Sequence, residues 1–385
     1  MKNAIYWIWL QRALGFASSK ISKVIELDGA ARRVFELEYD GLKNLRIFTA
    51  RQLENLCSKD LLPVQEILTN CGRLGYDILT PEDEDYPQRL RNISNPPAVL
   101  YVKGKLPDPE RRLYVGIVGA REPTSRGADV AYTLGLKLAQ SGAVIVSGGA
   151  RGIDSAAHMG ALAESGRTVA VLGCGIDYEY NMSKRSMRDM IASKGAIISE
   201  YPPTTPPVGR HFPERNRIIS GISHAVVVAQ AGIKSGSLIT AKLAAEQGRE
   251  VFAVEDGIGS VESEGTTHLI ENGANPLSGP QDVVDAFCGR FSDTLRRPMV
   301  ERDFIDDLRA LPGGGNETDV AHAFAQSASE NARMIYALLE REGCMIADEI
   351  IAATGIAAGS VFGALTELEM LGIVNVHPGR RYEAK

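Results

Sequence analysis

The chain has 385 residues, 44% of them hydrophobic and 23% charged, with a formal net charge of −6. That length exceeds one ordinary core and predicts two or three domains, while the composition excludes wholesale disorder. The acidic balance excludes a uniformly basic coat, so any nucleic-acid site has to be local, built from clustered arginines and backbone amides.

At the amino end the apolar run Ile5 to Leu10 lacks a small-residue cleavage site and is followed at once by Gln11 and Arg12. No stretch approaches the roughly 18 apolar residues of a membrane helix, so a cytoplasmic protein without a membrane partner is expected. Residues 1–80 show helical periodicity and no strand: Ile5, Ile8 and Trp9, then Ile21, Val24 and Ile25, then Leu53, Leu56, Ile67 and Leu68. A small helical domain is predicted there.

From Pro81 a proline-rich connection leads to the run Val99 to Val102, after which apolar β-branched runs alternate with helical stretches. The runs are Tyr114 to Val118, Ala143 to Ser147, Thr168 to Leu172, Ala196 to Ser199, Ala225 to Val228 and Glu250 to Val254. Continuous rather than alternating hydrophobicity predicts a parallel sheet covered on both faces, hence a doubly wound, Rossmann-like α/β domain over 81–290. Residues 291–328, with Leu311-Pro312-Gly313-Gly314-Gly315, read as a linker. Residues 329–385 read as three helices and a small hairpin, a winged helix. The five cysteines (Cys57, Cys71, Cys174, Cys288 and Cys344) form no C-x-x-C pair, and no histidine cluster has zinc spacing, so neither metal nor cofactor is expected.

Four segments bear on chemistry. After the first strand of the alternation, Gly119 and Arg121 precede Arg126 at a helix start, where unpaired N–H groups favour an anion. Ser147, Gly148 and Arg151 repeat that geometry ahead of Asp154 and His158, for which a helix cap and a core histidine are the preferred readings. Open parallel sheets bind ligands beyond the carboxyl ends of their strands. The third segment, Arg210 to Ser220, sets Arg210, Arg215 and Arg217 around Phe212, with Asn216 between the last two arginines. Arginines hold phosphates while an aromatic stacks on an unpaired base, the mode by which single strands are held. The alternative is that Arg215 and Arg217 pair with carboxylates and Phe212 is core. In the fourth, Ser235, Ser237 and Thr240 stand at a helix start, where hydroxyls bind an oxyanion or cap the helix.

In this order the motifs closely resemble the DprA/Smf family of DNA-processing proteins: Tyr86-Pro87, Pro96-Pro97 and Leu100-Tyr101, then Val118-Gly119-Ala120-Arg121, Gly152-Ile153-Asp154, Phe212-Pro213, Arg215-Asn216-Arg217 and Ser235 to Ala241. The resemblance covers about residues 81–285. It implies a non-enzymatic homodimer that binds single-stranded DNA, protects it and loads the RecA recombinase in natural transformation. It also implies a sterile-alpha-motif-like amino-terminal domain, a phosphate grip by Arg121, and Arg210 as the basic residue before Phe-Pro. Gln230 stands where the family has an acid, and Glu255-Asp256 where it has Pro-Gly, which puts two repelling charges near the groove.

The third helix of the winged segment, from Ser360, carries Glu367 and Glu369 and no Lys or Arg, so a protein-contacting role is expected, with Arg380 and Arg381 as its phosphate candidates. The competing class is an enzyme similar to nucleoside 5′-monophosphate phosphoribohydrolases, but their catalytic acid has no counterpart between Lys234 and Thr240. A nicotinamide enzyme would need a G-x-G-x-x-G after the first strand, which is absent. Asp154, Ser155 and His158 lie within one turn and cannot form a hydrolytic triad.

Overall fold

A computed structural model describes residues 3–163, 166–178, 183–255, 261–296, 329–370, 373–377 and 381–384. The chain divides into two compact units, one carrying the amino-terminal helices and a large sheet, the other at the carboxyl end.

The first unit opens with α1 (Ala4–Leu14), α2 (Lys20–Ile25), α3 (Ala30–Glu36), α4 (Tyr39–Asn44), α5 (Ala50–Cys57) and α6 (Leu62–Leu74). Helix α1 buries Trp7, Ile8, Trp9 and Leu10 in succession because it is covered on several sides. The Trp9 indole donates to the Ser58 carbonyl at 2.8 Å and Trp7 to Glu82 at 2.7 Å, so both polar tips are satisfied. A reciprocal Thr49/Gln52 capping box starts α5, and Gly75, at φ 68°, ends α6.

A nine-stranded sheet follows: β1 (Asp77–Leu79), β2 (Leu100–Gly104), β3 (Tyr114–Val118), β4 (Val144–Ser147), β5 (Arg167–Leu172), β6 (Ala196–Ser199), β7 (Ala225–Val228), β8 (Glu250–Val254) and β9 (Asn275–Leu277). Their order is β1-β2-β6-β5-β4-β3-β7-β8-β9. Strands β3 to β9 pair in parallel, and β1 and β2 add an antiparallel edge. The connecting helices are α7 (Gln88–Arg91), α8 (Ser125–Gln140), α9 (Ile153–Ala163), α10 (Ser183–Lys194), α11 (His211–Ile222), α12 (Ser237–Glu246), α13 (Glu264–Glu271) and α14 (Pro280–Phe287). The apolar runs thus form a doubly wound sheet. Its central residues, Ile145, Val171, Ile198 and Val227 among them, are fully buried, each contributing about 1.5–3 kcal/mol of transfer free energy. Ile145→Ala would cost roughly 2–5 kcal/mol.

The structure corrects two expectations. Residues 1–80 are not purely helical, because Asp77–Leu79 pairs with β2 as the sheet's edge. Nor does a linker begin at 291: Phe291 and Leu295 are buried, and Arg296 N–H donates to the Ser141 carbonyl at 2.8 Å. Two apolar side chains four residues apart on one helical turn cover the sheet domain there. The rest of the expected linker, 297–328, lies outside the described residues.

The second unit comprises α15 (Glu330–Glu342), β10 (Met345–Ile346), α16 (Ala347–Thr354), α17 (Ala358–Met370), β11 (Val374–His377) and β12 (Arg381–Ala384). Ile335, Leu339, Ile350, Val361, Leu365 and Leu368 close its core under a β10-β12-β11 wing. Phe362 stands exposed on α17, and Glu367 accepts from Ser329 Oγ (2.6 Å) at the start of α15. Arg381 donates to the Cys344 carbonyl at 3.4 Å, and Arg380 lies outside the described residues. Among the described residues no single helix is long and apolar enough to cross a membrane.

Candidate nucleic-acid interface

Strand order reverses between β3 and β7, whose outward connections run to opposite sides, and the carboxyl ends of these strands open a crevice. A cleft of about 670 Å³ fills it, lined by Gly119, Arg121, Arg151, Phe212, Asn216 and Ser235 among others.

Three loops are stitched together to form its wall. Ala120 N–H donates to the Gln230 carbonyl (2.8 Å) and Ile153 N–H to the Ala120 carbonyl (3.1 Å). Gly119 has to be glycine, since a Cβ there would lie 2.6 Å from Ile153 and 2.7 Å from the Gln230 carbonyl. Gly152, at φ +81°, would set a Cβ 2.5 Å from the Ala120 carbonyl. The Gln230 amide both accepts from Thr124 N–H and donates to Thr124 Oγ1, at 2.9 Å each. A carboxylate in its place could not donate. The glutamine therefore anchors the Thr124 cap of α8, whose hydroxyl accepts from Gly127 N–H at 3.0 Å.

The second glycine loop differs from expectation. Ser147 and Gly148 are buried behind the cleft: Ser147 Oγ donates to the Ile117 carbonyl (2.6 Å), and the N–H groups of Gly148 and Ala150 donate to Asp154 Oδ2 (3.1 and 3.3 Å). Those amides are already consumed by a carboxylate and offer nothing to a phosphate. Burial pushes the Asp154 carboxyl above its ordinary range, opposed by the nearby Arg215 charge and by these N–H groups. His158 is buried with Nδ1 2.7 Å from Thr168 Oγ1, whose hydroxyl donates to the Ile145 carbonyl, so Nδ1 carries the proton. It is a core histidine.

The largest correction concerns α11. Arg215 and Arg217 are 4% and 2% exposed, so neither presents an open guanidinium at the surface; Arg215 lines the cleft from below and Arg217 does not line it. Arg215 Nη1 donates to the carbonyls of Gly148 and Val171, and with Asp154 close by it forms a buried charged floor beneath the cleft. Arg217 Nη2 donates to both Glu200 oxygens at 2.7 Å. Glu200 also accepts from Ala17 N–H (3.3 Å), and its carbonyl accepts from Gln11 Nε2 (3.2 Å). The pair thus ties the helical segment to the sheet. Of the two readings the sequence left open for these arginines, pairing is the one the structure supports.

The remaining members of the motif divide. Phe212 and Asn216 are half-buried in the cleft wall, with the Arg121 guanidinium 5.5 Å from the Phe212 ring centre. Arg210 is exposed one residue ahead of α11 but does not line the cleft, and neither does Arg126, half-buried in the first turn of α8. Ser237 and Thr240 are buried in the first turn of α12, and Ser235 Oγ lies 2.8 Å from Ser237 Oγ.

Two charged residues escaped the sequence reading. Lys234 is exposed on the cleft wall and makes no ion pair among the described residues; its place inside the quoted Gly-Ser segment was the available signal. Glu122 is exposed and pairs with Arg151 across the two glycine loops, and nothing in the sequence linked residues 29 apart. Counting the floor, four cations face two carboxylates around the cleft. Glu255, at the end of β8, is exposed and does not line it, and Asp256 lies outside the described residues.

Comparison with known proteins gives the family and the fold. Residues 77–288 match the family of DNA recombination-mediator protein A, and residues 321–380 match the DprA winged helix domain. Protein Smf of Synechocystis sp. is 37% identical, covering 99% of this chain and 98% of its own. The DNA processing protein DprA of Streptococcus pneumoniae is 36% identical over 74% of this chain and 99% of its own. The X-ray structure of the S. pneumoniae protein superposes with a TM-score of 0.64 at 34% identity, covering 73% of this chain and 97% of that one. DNA processing protein A from Helicobacter pylori, whose structure addresses single-stranded DNA binding, gives a TM-score of 0.50 at 33% identity over 56% of this chain and 96% of its own.

Proposed function

The chain belongs to the DNA recombination-mediator protein A (DprA/Smf) family, and on that premise we propose that its cleft holds single-stranded DNA, which the protein protects and delivers to the RecA recombinase during DNA uptake and recombination. The observation that carries this reading is the cleft at the strand-order reversal, where Arg121, Arg151 and Lys234 surround a half-buried phenylalanine. Guanidinium and ammonium groups take the phosphates, and the Phe212 face takes a base without reading its identity. Ser235 and Ser237 give the phosphate hydroxyl partners at the start of α12, and Arg210 extends the cationic path beyond the cleft. Arg215 and Arg217 act indirectly, by holding α11 in place.

The protein acts as a cytoplasmic homodimer and as a carrier rather than an enzyme. Asp154, the acid nearest the cleft floor, is occupied by two backbone N–H groups and so is not poised for chemistry on a ribosyl bond. Along the chain the helical segment through residue 80 precedes the DNA-binding domain and the winged helix after residue 328 follows it, and α17, with no cation on it, contacts protein rather than duplex DNA. Binding of a labelled oligonucleotide, single-stranded against duplex, across a salt series tests the reading. Preference for the single strand with a steep salt dependence is expected. Equal affinity for both forms would remove it, and release of adenine from AMP would remove the carrier reading.

A further inference from the structure

The amino ends of the strands, opposite the cleft, carry a second group of cations. Arg89 on α7, Arg249 just ahead of β8 and Arg290 after α14 surround Ser223 and His224, the two residues that enter β7. Arg89 Nε donates to the Ser223 carbonyl at 3.3 Å, and Arg249 Nη2 donates to the carbonyls of Arg89 and Gly221, both at 2.9 Å. The His224 ring packs edge-on to Phe291 at 4.8 Å, and the Arg290 guanidinium lies 5.4 Å from the centre of that same ring.

None of the three guanidiniums makes an ion pair among the described residues. Backbone carbonyls satisfy some of their N–H groups but leave the charge unneutralised. Burial first, then the charges of Arg249 and Arg290, lowers Arg89 to about 10, with exposed Glu110 as the opposing carboxylate. The band continues along the edge through Arg112, two residues ahead of β3, and Arg167, the first residue of β5. These two also repel each other, and Asp108 is the acid beside Arg112. From β5 to β8 is four strand spacings, roughly 19 Å at about 4.8 Å each.

We propose that this amino-end edge, with Arg89, Arg249 and Arg290 at its centre, binds a second stretch of polynucleotide backbone. A row of guanidiniums of that length, with no ion pair at its centre among the described residues, matches the repeated phosphates of an extended chain better than one small anion. Like charges gathered with no ion-pair partner among the described residues, and only exposed Glu110 and Asp108 to offset them, are stabilised when phosphates lie among them. The choice of a nucleic acid over an acidic protein segment rests on the DNA-binding reading of the cleft.

The test uses the full chain and two labelled single strands, one of about six nucleotides, enough for the cleft, and one of about sixty. Arg290→Gln with Arg167→Gln alters two exposed positions and leaves the carbonyl-bonded arginines in place; Arg89→Gln is the deeper variant. For the double variant, the long strand should bind roughly tenfold more weakly, with a log–log salt slope shallower by about 1.4, and the short strand as before. An unchanged long-strand slope overturns the proposal. So does binding of polyglutamate that the double variant loses and the long strand cannot displace, which would assign the edge to an acidic protein. Arg121→Ala reports on the cleft alone: if it leaves short-strand affinity intact, the cleft reading fails while the long-strand comparison still stands.

Discussion

The rim of the cleft and the helix beneath it use the same side chain in opposite ways. On the rim, Arg121 and Arg151 are exposed, and their charge is free to meet a ligand or a neighbouring carboxylate. In α11, Arg215 and Arg217 are sealed in, one against two carbonyls and the other against Glu200. The arginine-bearing segments taken together therefore contain both tools and fasteners. What separates them is whether the fold places a partner within reach before any ligand arrives.

Breaking the fasteners should give the largest effect. Arg217→Ala leaves Glu200 buried and unpaired and should cost about 3–5 kcal/mol in urea unfolding, whereas replacing both residues with apolar ones of similar volume should be close to neutral. A stable Arg217→Ala protein that binds DNA poorly would place Arg217 among the tools. The buried side also predicts acid sensitivity. Burial, reinforced by Arg215, holds His158 at about 3, and burial together with Arg89, Arg290 and Arg249 does the same for His224, against roughly 6.5 in the unfolded chain. Between those values the unfolded chain binds the extra protons, so stability is full above about pH 6.5 and declines as the pH falls toward 3. Each histidine adds up to about 1.4 kcal/mol per pH unit to the slope, and His158→Gln should flatten the Tm profile over that window.

On the rim the effects move from stability to affinity. Arg121→Ala should weaken single-strand binding roughly tenfold and reduce the salt slope by about 0.7 with Tm unchanged. Phe212→Ala should cost about 1–3 kcal/mol of binding with little change in slope, because stacking releases no counterions. The smallest effect is expected of Glu122→Gln, which frees Arg151 and should raise affinity a few-fold, within the roughly 0–1 kcal/mol of an exposed ion pair. A fall in affinity there would mean that Glu122 positions Arg151 rather than competing for it.

The sheet was legible because strands buried on both faces must be apolar throughout, as Val144 to Val146 and Ala225 to Val228 are. Its edges were not. Asp77–Leu79 is too short to show a period, and Asn275–Leu277 contains Pro276, tolerated because that strand lies at the edge. The cleft was legible as a set of glycine turns ahead of helices. The fate of α11 was hidden because Arg215 and Arg217, two apart, point to different sides of a helix, and both sides are covered. Their partners come from distant segments: Gly148, Val171 and the start of the β6–α11 connection at Glu200.

The Glu122–Arg151 bridge makes filling the cleft a substitution and not an addition. An arriving phosphate that takes Arg151 must displace a carboxylate, and a departing one leaves behind a guanidinium that already has somewhere to go. On the proposed DNA-binding reading, such an exchange flattens the difference between loaded and empty states at that contact and so eases release of a bound strand.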